Sequence, residues 1–380
     1  MYLLNELILF SPLIIYSLFR IRWLFACRAT KLSLTVFFAF LVLGYPVAET
    51  LSHGGDTGWT RYPMVVGYCA LPFLLYFVLT VVLADLILGI LLLPGFVSKP
   101  TLRRPGFAAA QLCLFLATPT VVVIAGAVNN DRLQISEYSV NLPRKSSTIR
   151  QLKIVFASDF HLGAMTSDRL LERFVTKVNA QNPDVVLIGG DVLEGDRDID
   201  LGEYESRFRQ LKARYGVYAV PGNHEMHGAA RSDFFERSGI RLLEDSVVRI
   251  EQAFYLAGRK DGRGDNRKSV QALLRNTIGD LPVILLDHRP VDMDSVSKAN
   301  VDLQLSGHTH HGQLFPVNYV TERQYELSWG RLKKHNTHFI VTSGTQVWGP
   351  PVRTAGSSEI VVINVTFDRS SPATAIAVPD

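Results

Sequence analysis

Cysteine is scarce in this chain: three in 380 residues, Cys27, Cys69 and Cys113, all in or beside apolar segments of the first third. No thiol follows Cys113, which excludes a disulfide framework or a thiolate-held metal for the rest of the sequence. A chain this long buries a sufficient core unstapled, so the shortage does not decide the compartment. Charge is also thin, at 19% of residues, and nearly balanced at a formal +4. Residues 1–131 hold 8 basic and 5 acidic residues, leaving 31 and 30 for residues 132–380, so the excess divides as +3 and +1. That leaves the second part without the basic stripe of a nucleic-acid binder. No internal repeat or low-complexity tract occurs, which excludes a solenoid or a disordered scaffold.

What is abundant is apolar sequence, and it sits at the front. Four stretches, Tyr2–Phe19, Leu32–Ala48, Met64–Leu93 and Phe107–Val128, approach or exceed the ~20 residues that cross ~30 Å of hydrocarbon. The first carries Asn5, Glu6 and Pro12. A cleaved signal peptide is disfavoured because no positive residue precedes the apolar run and Arg20, Arg22, Arg28 and Lys31 occupy the place of a cleavage site. Those four, and Lys99, Arg103 and Arg104 after the third stretch, contrast with the single Arg61 between the second and third. The positive-inside rule then puts the N-terminus and everything after Val128 outside, so the expectation is an integral, multi-pass membrane protein whose second domain faces the periplasm or cell exterior. Asp85, inside the third stretch, is either a functional carboxylate or one paired within the bundle.

From Leu133 the pattern changes. A strand-like Leu133–Leu142 is followed by an apolar run at Leu152–Ala157 and then by helical spacing over Ser167–Gln181, where Leu170, Leu171, Phe174, Val175 and Val178 share a face and Ser167 is a candidate cap. Strands are expected at Asp184–Ile188 and Gly216–Val220, with a helix marked by Tyr204, Phe208, Leu211 and Tyr215 between them and another near Ala229–Arg237. Further apolar runs at Ala253–Ala257, Val283–Leu286, Leu303–Leu305, Phe339–Val341 and Ile360–Val365 read mostly as strands. Alternation followed by strand-rich sequence predicts an N-terminal α-helical transmembrane bundle joined to a four-layer α/β sandwich, two facing sheets covered by helices (αββα). The expected divisions are a four-span domain over 1–130, the sandwich over 131–370 and a tail over 371–380.

The polar residues that interrupt this pattern cluster where apolar runs end. Phe156–Gly163 reads FASDFHLG and brings Asp159 and His161; then come Gly189-Gly190-Asp191, Gly222-Asn223-His224-Glu225, an isolated His288, and Gly307-His308-Thr309-His310. Strand ends of an α/β sheet collect on one rim, so all of these are candidates for a single site. Carboxylate, imidazole and amide donors without thiolate suit Mn, Fe or Zn. A carboxylate such as Asp191 can bridge two cations ~3.5–4 Å apart, the spacing that clamps the attacking and leaving oxygens of a phosphoryl displacement. The glycines preceding the clusters permit the close backbone approach that such crowding needs.

The ordered set DFH, GGD, GNHE, an isolated His and GHTH resembles the calcineurin-like metallophosphoesterase superfamily over about residues 133–366. With the Gly-Gln after the last histidines, WGPPVR and EIVVINV, it is most similar to the membrane-associated YaeI/YkuE-type branch and to transmembrane proteins with a metallophosphoesterase domain. The resemblance implies two divalent cations. Asp159, His161 and His310 would hold the first with Asp191, which bridges to a second completed by Asn223, His288 and His308. It leaves His224 to stabilise the reacting phosphate and give a proton to the leaving oxygen. The implied function is a membrane-anchored phosphohydrolase of the bacterial inner membrane cleaving mono-, di- or pyrophosphate bonds, with a phosphorylated substrate for which a lipid- or envelope-linked compound is a candidate. The alternative is a non-catalytic membrane receptor or assembly module that retains the metal site; loss of Asp191, Asn223 or His224 would have favoured it, and all three are present.

Around these residues several readings stay open. Glu225 either orients His224 or caps a following helix. His227 and His311, the latter where the family usually has glycine, are candidate substrate contacts or plain surface residues. Asp287 is a candidate partner for a ligand imidazole; Asp261 has no evident role. Residues Pro316–His338 interleave Tyr319, Arg323, Tyr325, Trp329, Arg331, Lys333 and Lys334. That mix suits a polar headgroup at a membrane interface, with Trp329 and Arg331 as contacts, and equally suits an exposed hairpin.

Overall fold

The computed structural model describes residues 2–368 apart from 54–58, 97, 164–165, 167, 195–200, 226–230, 263–266 and 278. The candidate cap Ser167, the candidate substrate contact His227 and the tail over 371–380 therefore lie outside the described residues. The chain forms two compact units, one up to Asn129 together with Gly349–Thr354, and one from Asn130 onward with that short segment excepted.

The first unit consists of helices α1 (Tyr2–Trp23), α2 (Arg28–His53), α3 (Arg61–Leu92) and α4 (Pro105–Asp131). By length and composition α2, α3 and α4 can each cross a membrane. Four spans were expected; α1, the one carrying Pro12, is not among those three. Phe38, Leu74, Phe77, Val81 and Phe115 pack inward, while Leu83, Ile87 and Ile90 remain exposed, an arrangement that costs little in hydrocarbon. Asp85 is paired within the bundle. It accepts from Arg20 Nε at 2.9 Å and Tyr16 Oη at 2.5 Å, and Arg20 Nη2 also donates to Gln111 Oε1 at 2.8 Å, so α1, α3 and α4 share one polar clamp.

The second unit contains two six-stranded sheets. Strands β1 (Leu133–Pro143), β2 (Gln151–Ala157), β3 (Val185–Ile188), β4 (Val217–Ala219), β5 (Arg241–Leu242) and β12 (Ser358–Asp368) form the first, in the order β1-β12-β2-β3-β4-β5. Strands β6 (Ser246–Ile250), β7 (Phe254–Gly258), β8 (Val283–Leu286), β9 (Leu303–Ser306), β10 (Gly330–Lys334) and β11 (Thr337–Val341) form the second, in the order β10-β11-β9-β8-β7-β6. The alternating directions of strand side chains explain why these runs are apolar throughout. On β2, Leu152, Ile154 and Phe156 enter the core between the sheets, where they join Ile284, Leu286, Leu303 and Leu305 of the other sheet. Val155 and Ala157 point the other way, toward Leu171, Phe174 and Val178 of α5 (Asp168–Ala180). The second sheet repeats this: Val283 and Leu285 face Val270 and Leu273 of α8 (Val270–Leu273) and Met293 and Val296 of α9 (Met293–Ser297). The layers are thus helices, sheet, sheet, helices.

Two expected elements differ. The helix marked by Tyr204 to Tyr215 ends early, as α6 (Gly202–Phe208), whereas the one expected near Ala229–Arg237 is α7 (Arg231–Arg237). Leu211 and Tyr215 are buried from the turns beyond it, where Asn179 Oδ1 accepts the Lys212 N–H and Gly216 takes φ +87°. The segment after the last histidine motif folds as α10 (Asn318–Gln324) followed by the β10–β11 hairpin.

Candidate metal centre

Parallel pairing places the carboxyl ends of β2, β3 and β4 side by side in one sheet and those of β8 and β9 side by side in the other. Each of the five polar clusters begins within a few residues of one of those ends, so the strand order itself gathers them. The loops are stitched together by backbone bonds: Asp159 N donates to Gly190 O, and Phe160 N and His161 N both donate to Asp191 O.

The backbone pays for this convergence with strain. Asp159, His161, Asp191, His308 and His310 all have φ between 45° and 72°, the left-handed region that side chains with a Cβ rarely enter. Glycine is needed where two loops touch: a Cβ on Gly222 would collide with the Asp191 carboxylate, and one on Gly307 with that of Asp159.

Three groups of donors result among the described residues; His161, Glu194 and His224 are one, and the other two are triads of ligand type. Asp159, His161 and His310 form one, Asp191, His288 and His308 the other, and within each triad the donor atoms lie within 4.8 Å of one another. In the first, His161 Nε2 stands 3.1 Å from His310 Nε2, and His310 Nε2 stands 3.5 Å from Asp159 Oδ1. In the second, His288 Nε2 lies 3.1 Å from Asp191 Oδ2 and 3.3 Å from Asn223 Oδ1. Asp191 Oδ2 is also 3.9 Å from His161 Nε2, which sets this carboxylate between the triads.

The surroundings orient the imidazoles as metal ligands require. His288 Nδ1 donates to Gly189 O at 2.8 Å, and His161 Nδ1 is bonded to Glu194 at 2.6 Å, so each leaves Nε2 facing the site. Burial favours protonation of Asp159, which is fully enclosed. Burial also opposes charge on His288, yet Asp191 and Asp159 push its pKa up to about 10. A proton there occupies ground that the carboxylates prepare for positive charge. His308 is driven the other way, down to about 3, by burial and then by the charges of His288 and Arg289, and so is a neutral nitrogen donor. Oxygen and nitrogen donors clustered this closely, with carboxylates buried and imidazoles pre-oriented, fit divalent metal ions.

His224 stands beside the first triad, its ring 4.7 Å from that of His161. Its Nδ1 is 3.2 Å from Glu194 Oε1. Burial opposes its protonation, but the bond to Glu194 and the charges of Glu194, Asp191 and Glu225 prevail and raise its pKa to about 9. Glu194 is held ionised, well below the usual carboxylate range: burial is outweighed by His161 and His224. Trp348 completes the group, donating from Nε1 to Glu194 at 3.2 Å.

Glu194 escaped the sequence reading, although a carboxylate three residues after Asp191 in Gly-Gly-Asp-x-x-Glu was the available signal. The helix that Glu225 is a candidate to cap would lie in 226–230, outside the described residues; Glu225 itself is 2% exposed. It accepts the backbone N–H groups of Asp191, Leu193 and Gly222 and so locks the two ligand-bearing loops together. Among the described residues Asp287 bonds no imidazole; it receives Arg259 at 2.7 Å and Arg267 at 3.0 Å. Of the proposed substrate contacts, His311 stacks against Trp329 at 4.9 Å, and the Trp329 indole donates to Glu359. Arg331 lies exposed on β10, where among the described residues no bond ties it to the triads.

Residues 152–312 match the family model described as calcineurin-like phosphoesterase. An uncharacterised metallophosphoesterase of Campylobacter jejuni is 31% identical over 263 residues, 66% of this chain and 69% of that protein. One from Aquifex aeolicus is 30% identical over 260 residues, 64% of this chain and 97% of that protein. A transmembrane protein with metallophosphoesterase domain from Danio rerio is 31% identical over 276 residues, covering 67% of this chain and 62% of that protein. The chain belongs to the calcineurin-like metallophosphoesterase family, and its N-terminal helices are apolar enough to span a membrane.

Proposed function

We propose that this protein is a membrane-anchored phosphohydrolase that uses two divalent cations, with Asp159, His161 and His310 holding one, Asn223, His288 and His308 the other, and Asp191 shared. The observation that carries this is the position of one carboxylate between two donor triads, with a protonatable histidine alongside. Cations bound there supply Lewis-acid polarisation of the phosphate and activation of water. The protein's own groups supply the remainder. Water oxygen bonds to phosphorus as the phosphorus–oxygen bond to the leaving group breaks; the proton released by water passes to solvent, from which His224 is recharged, and the departing oxygen takes its proton from His224. Glu194 keeps His224 charged and aimed until then. The Glu194–His224 pair favours catalysis over a merely binding role, since a receptor needs no charged proton donor beside its metals.

The four-span arrangement, with the catalytic unit on the periplasmic or outer side, follows from the positions of the basic loops. A phosphorylated lipid or envelope-linked substrate is supported by exposed Phe315, Tyr319, Val320 and Trp329 just after the last histidine motif. The test is phosphate release by the detergent-purified full chain loaded with Mn²⁺, comparing wild type with Asp191→Asn and His224→Ala, together with metal analysis. Two ions per chain and loss of turnover in both variants are expected; a metal-replete protein with no turnover of any phosphoester would leave the receptor alternative. Trp329→Ala and Arg331→Ala should impair lipid-linked substrates more than soluble ones, and equal effects would sink the lipid assignment.

A further inference from the structure

Beyond the second triad the structure holds a cavity of about 390 Å³ whose wall includes Arg289, Val291, Asp292, Gln324, Tyr325 and Glu326. This volume lies within the range that encloses small ligands. It adjoins the candidate metal centre on two sides. Arg289 directly follows His288, and the Tyr325 ring packs edge-on against His308 at 6.1 Å.

The wall is built before any ligand arrives. Arg267 binds Asp287 at 3.0 Å and Asp292 at 3.4 Å, and Arg259 binds Asp287 at 2.7 Å, so the turn from Asp287 to Asp292 is clamped by two largely buried guanidinium groups. Asp292 is held there with φ +59°. The carboxylates of the wall already have cations: Asp292 has Arg267, and Glu326 has Lys334 at 2.8 Å. Arg289 is ion-paired as well, but through one of its nitrogens. Its Nη2 donates to the buried Asp261 at 2.9 Å, and among the described residues its guanidinium makes no other hydrogen bond. A cation with spare donors therefore lines a cavity beside the reacting position, while satisfied carboxylates, an amide and a ring offer acceptors for hydroxyl groups.

We infer that this cavity receives a polyhydroxylated part of the substrate that carries a second phosphate, and that Arg289 binds that phosphate. The inference rests on the phosphohydrolase reading for its orientation, but its binding component does not. The second phosphate belongs either to a free sugar bisphosphate or to a phospholipid headgroup, which share this chemistry.

The experiment uses the full chain in detergent. Calorimetric binding of glucose 6-phosphate to the EDTA-stripped protein should weaken at least tenfold in Arg289→Gln and in Val291→Trp, which fills the cavity without touching the arginine clamp. With Mn²⁺ bound, the kcat/KM ratio of glucose 1,6-bisphosphate to glucose 1-phosphate should fall at least tenfold in both variants. Phosphatidylinositol 4-phosphate in mixed micelles, run beside the free bisphosphate, assigns the source by which is turned over faster, and either preference upholds the pocket. Unchanged glucose 6-phosphate binding in folded Val291→Trp, or an unchanged ratio, would overturn it. Arg289-dependent binding without turnover of any phosphoester would instead refute the hydrolase reading and leave the pocket as a binding site.

Discussion

Replacing Glu194 with Gln keeps the shape of the group that contacts His161, His224 and Trp348 while removing its charge. That charge is the main reason His224 has a pKa of about 9 in place of 6.5. Without it, burial favours the neutral ring, and the pKa should return to about 6.5 or lower. At pH 8 the protonated fraction then drops from about nine-tenths to about one-thirtieth, a loss of roughly 30-fold in any rate that depends on the donor. Bound cations lower both values together, so the displacement between wild type and variant is the quantity to measure. The assay is the pH dependence of kcat for two monoesters, phenyl phosphate, whose phenolate needs a proton at pKa ~10, and p-nitrophenyl phosphate, whose leaving group needs none. The alkaline limb should move to lower pH for phenyl phosphate, with a much smaller change for p-nitrophenyl phosphate. An unmoved limb, or equal losses for both esters at every pH, would refute the proton-donor assignment of His224. Stability carries the same sign. Because the folded pKa lies above the unfolded one, the interaction contributes about 3 kcal/mol below pH 6.5 and is lost as pH rises through about 9. Thermal melts of the metal-stripped full chain should therefore separate wild type from Glu194→Gln at pH 6 and converge above pH 9.

Further outcomes follow from the packing. Gly307→Ala should displace the Asp159 carboxylate and weaken binding of the first cation at least tenfold; equilibrium metal titration showing two unaltered sites would contradict the close-approach argument. Phe156→Ala, fully buried between the sheets, should cost about 3–5 kcal/mol in denaturant unfolding of the metal-stripped protein, and a loss under 1 kcal/mol would mean that this core is not where the stability resides. Asp85→Leu leaves the Arg20 guanidinium without its carboxylate among the helices and should lower the melting temperature in detergent more than the double change with Arg20→Met; equal losses would show that the pair is not coupled.

Much of the architecture was legible because burial on both faces of a central strand leaves a continuous apolar run. Leu152–Ala157, Val283–Leu286 and Leu303–Leu305 announced themselves in that way. The short β5 stayed hidden, and β10 with its alternating Gly330–Lys334 showed only as one of two open readings of Pro316–His338, because edge strands bury little. The donor residues were equally visible, since Asp, His and Asn stand out where apolar runs stop, and the glycines beside them flagged close approach. Asp287 was read as a candidate imidazole partner but receives guanidiniums, and the backbone N–H groups that Glu225 accepts were not foreseen, because these partners come from other loops and nothing local in the chain names them.

Composition and order of residues by themselves determined the apolar front, the absence of thiolate chemistry, the α/β alternation and the types of donor available. Tertiary structure alone decided that Asp191 stands between two triads, that Glu194 joins His161 to His224, and that Arg289 opens onto a cavity. The physical reason is that ligand chemistry resides in single side chains, whereas their distances arise from which strands lie side by side, and strand order is a property of the whole fold.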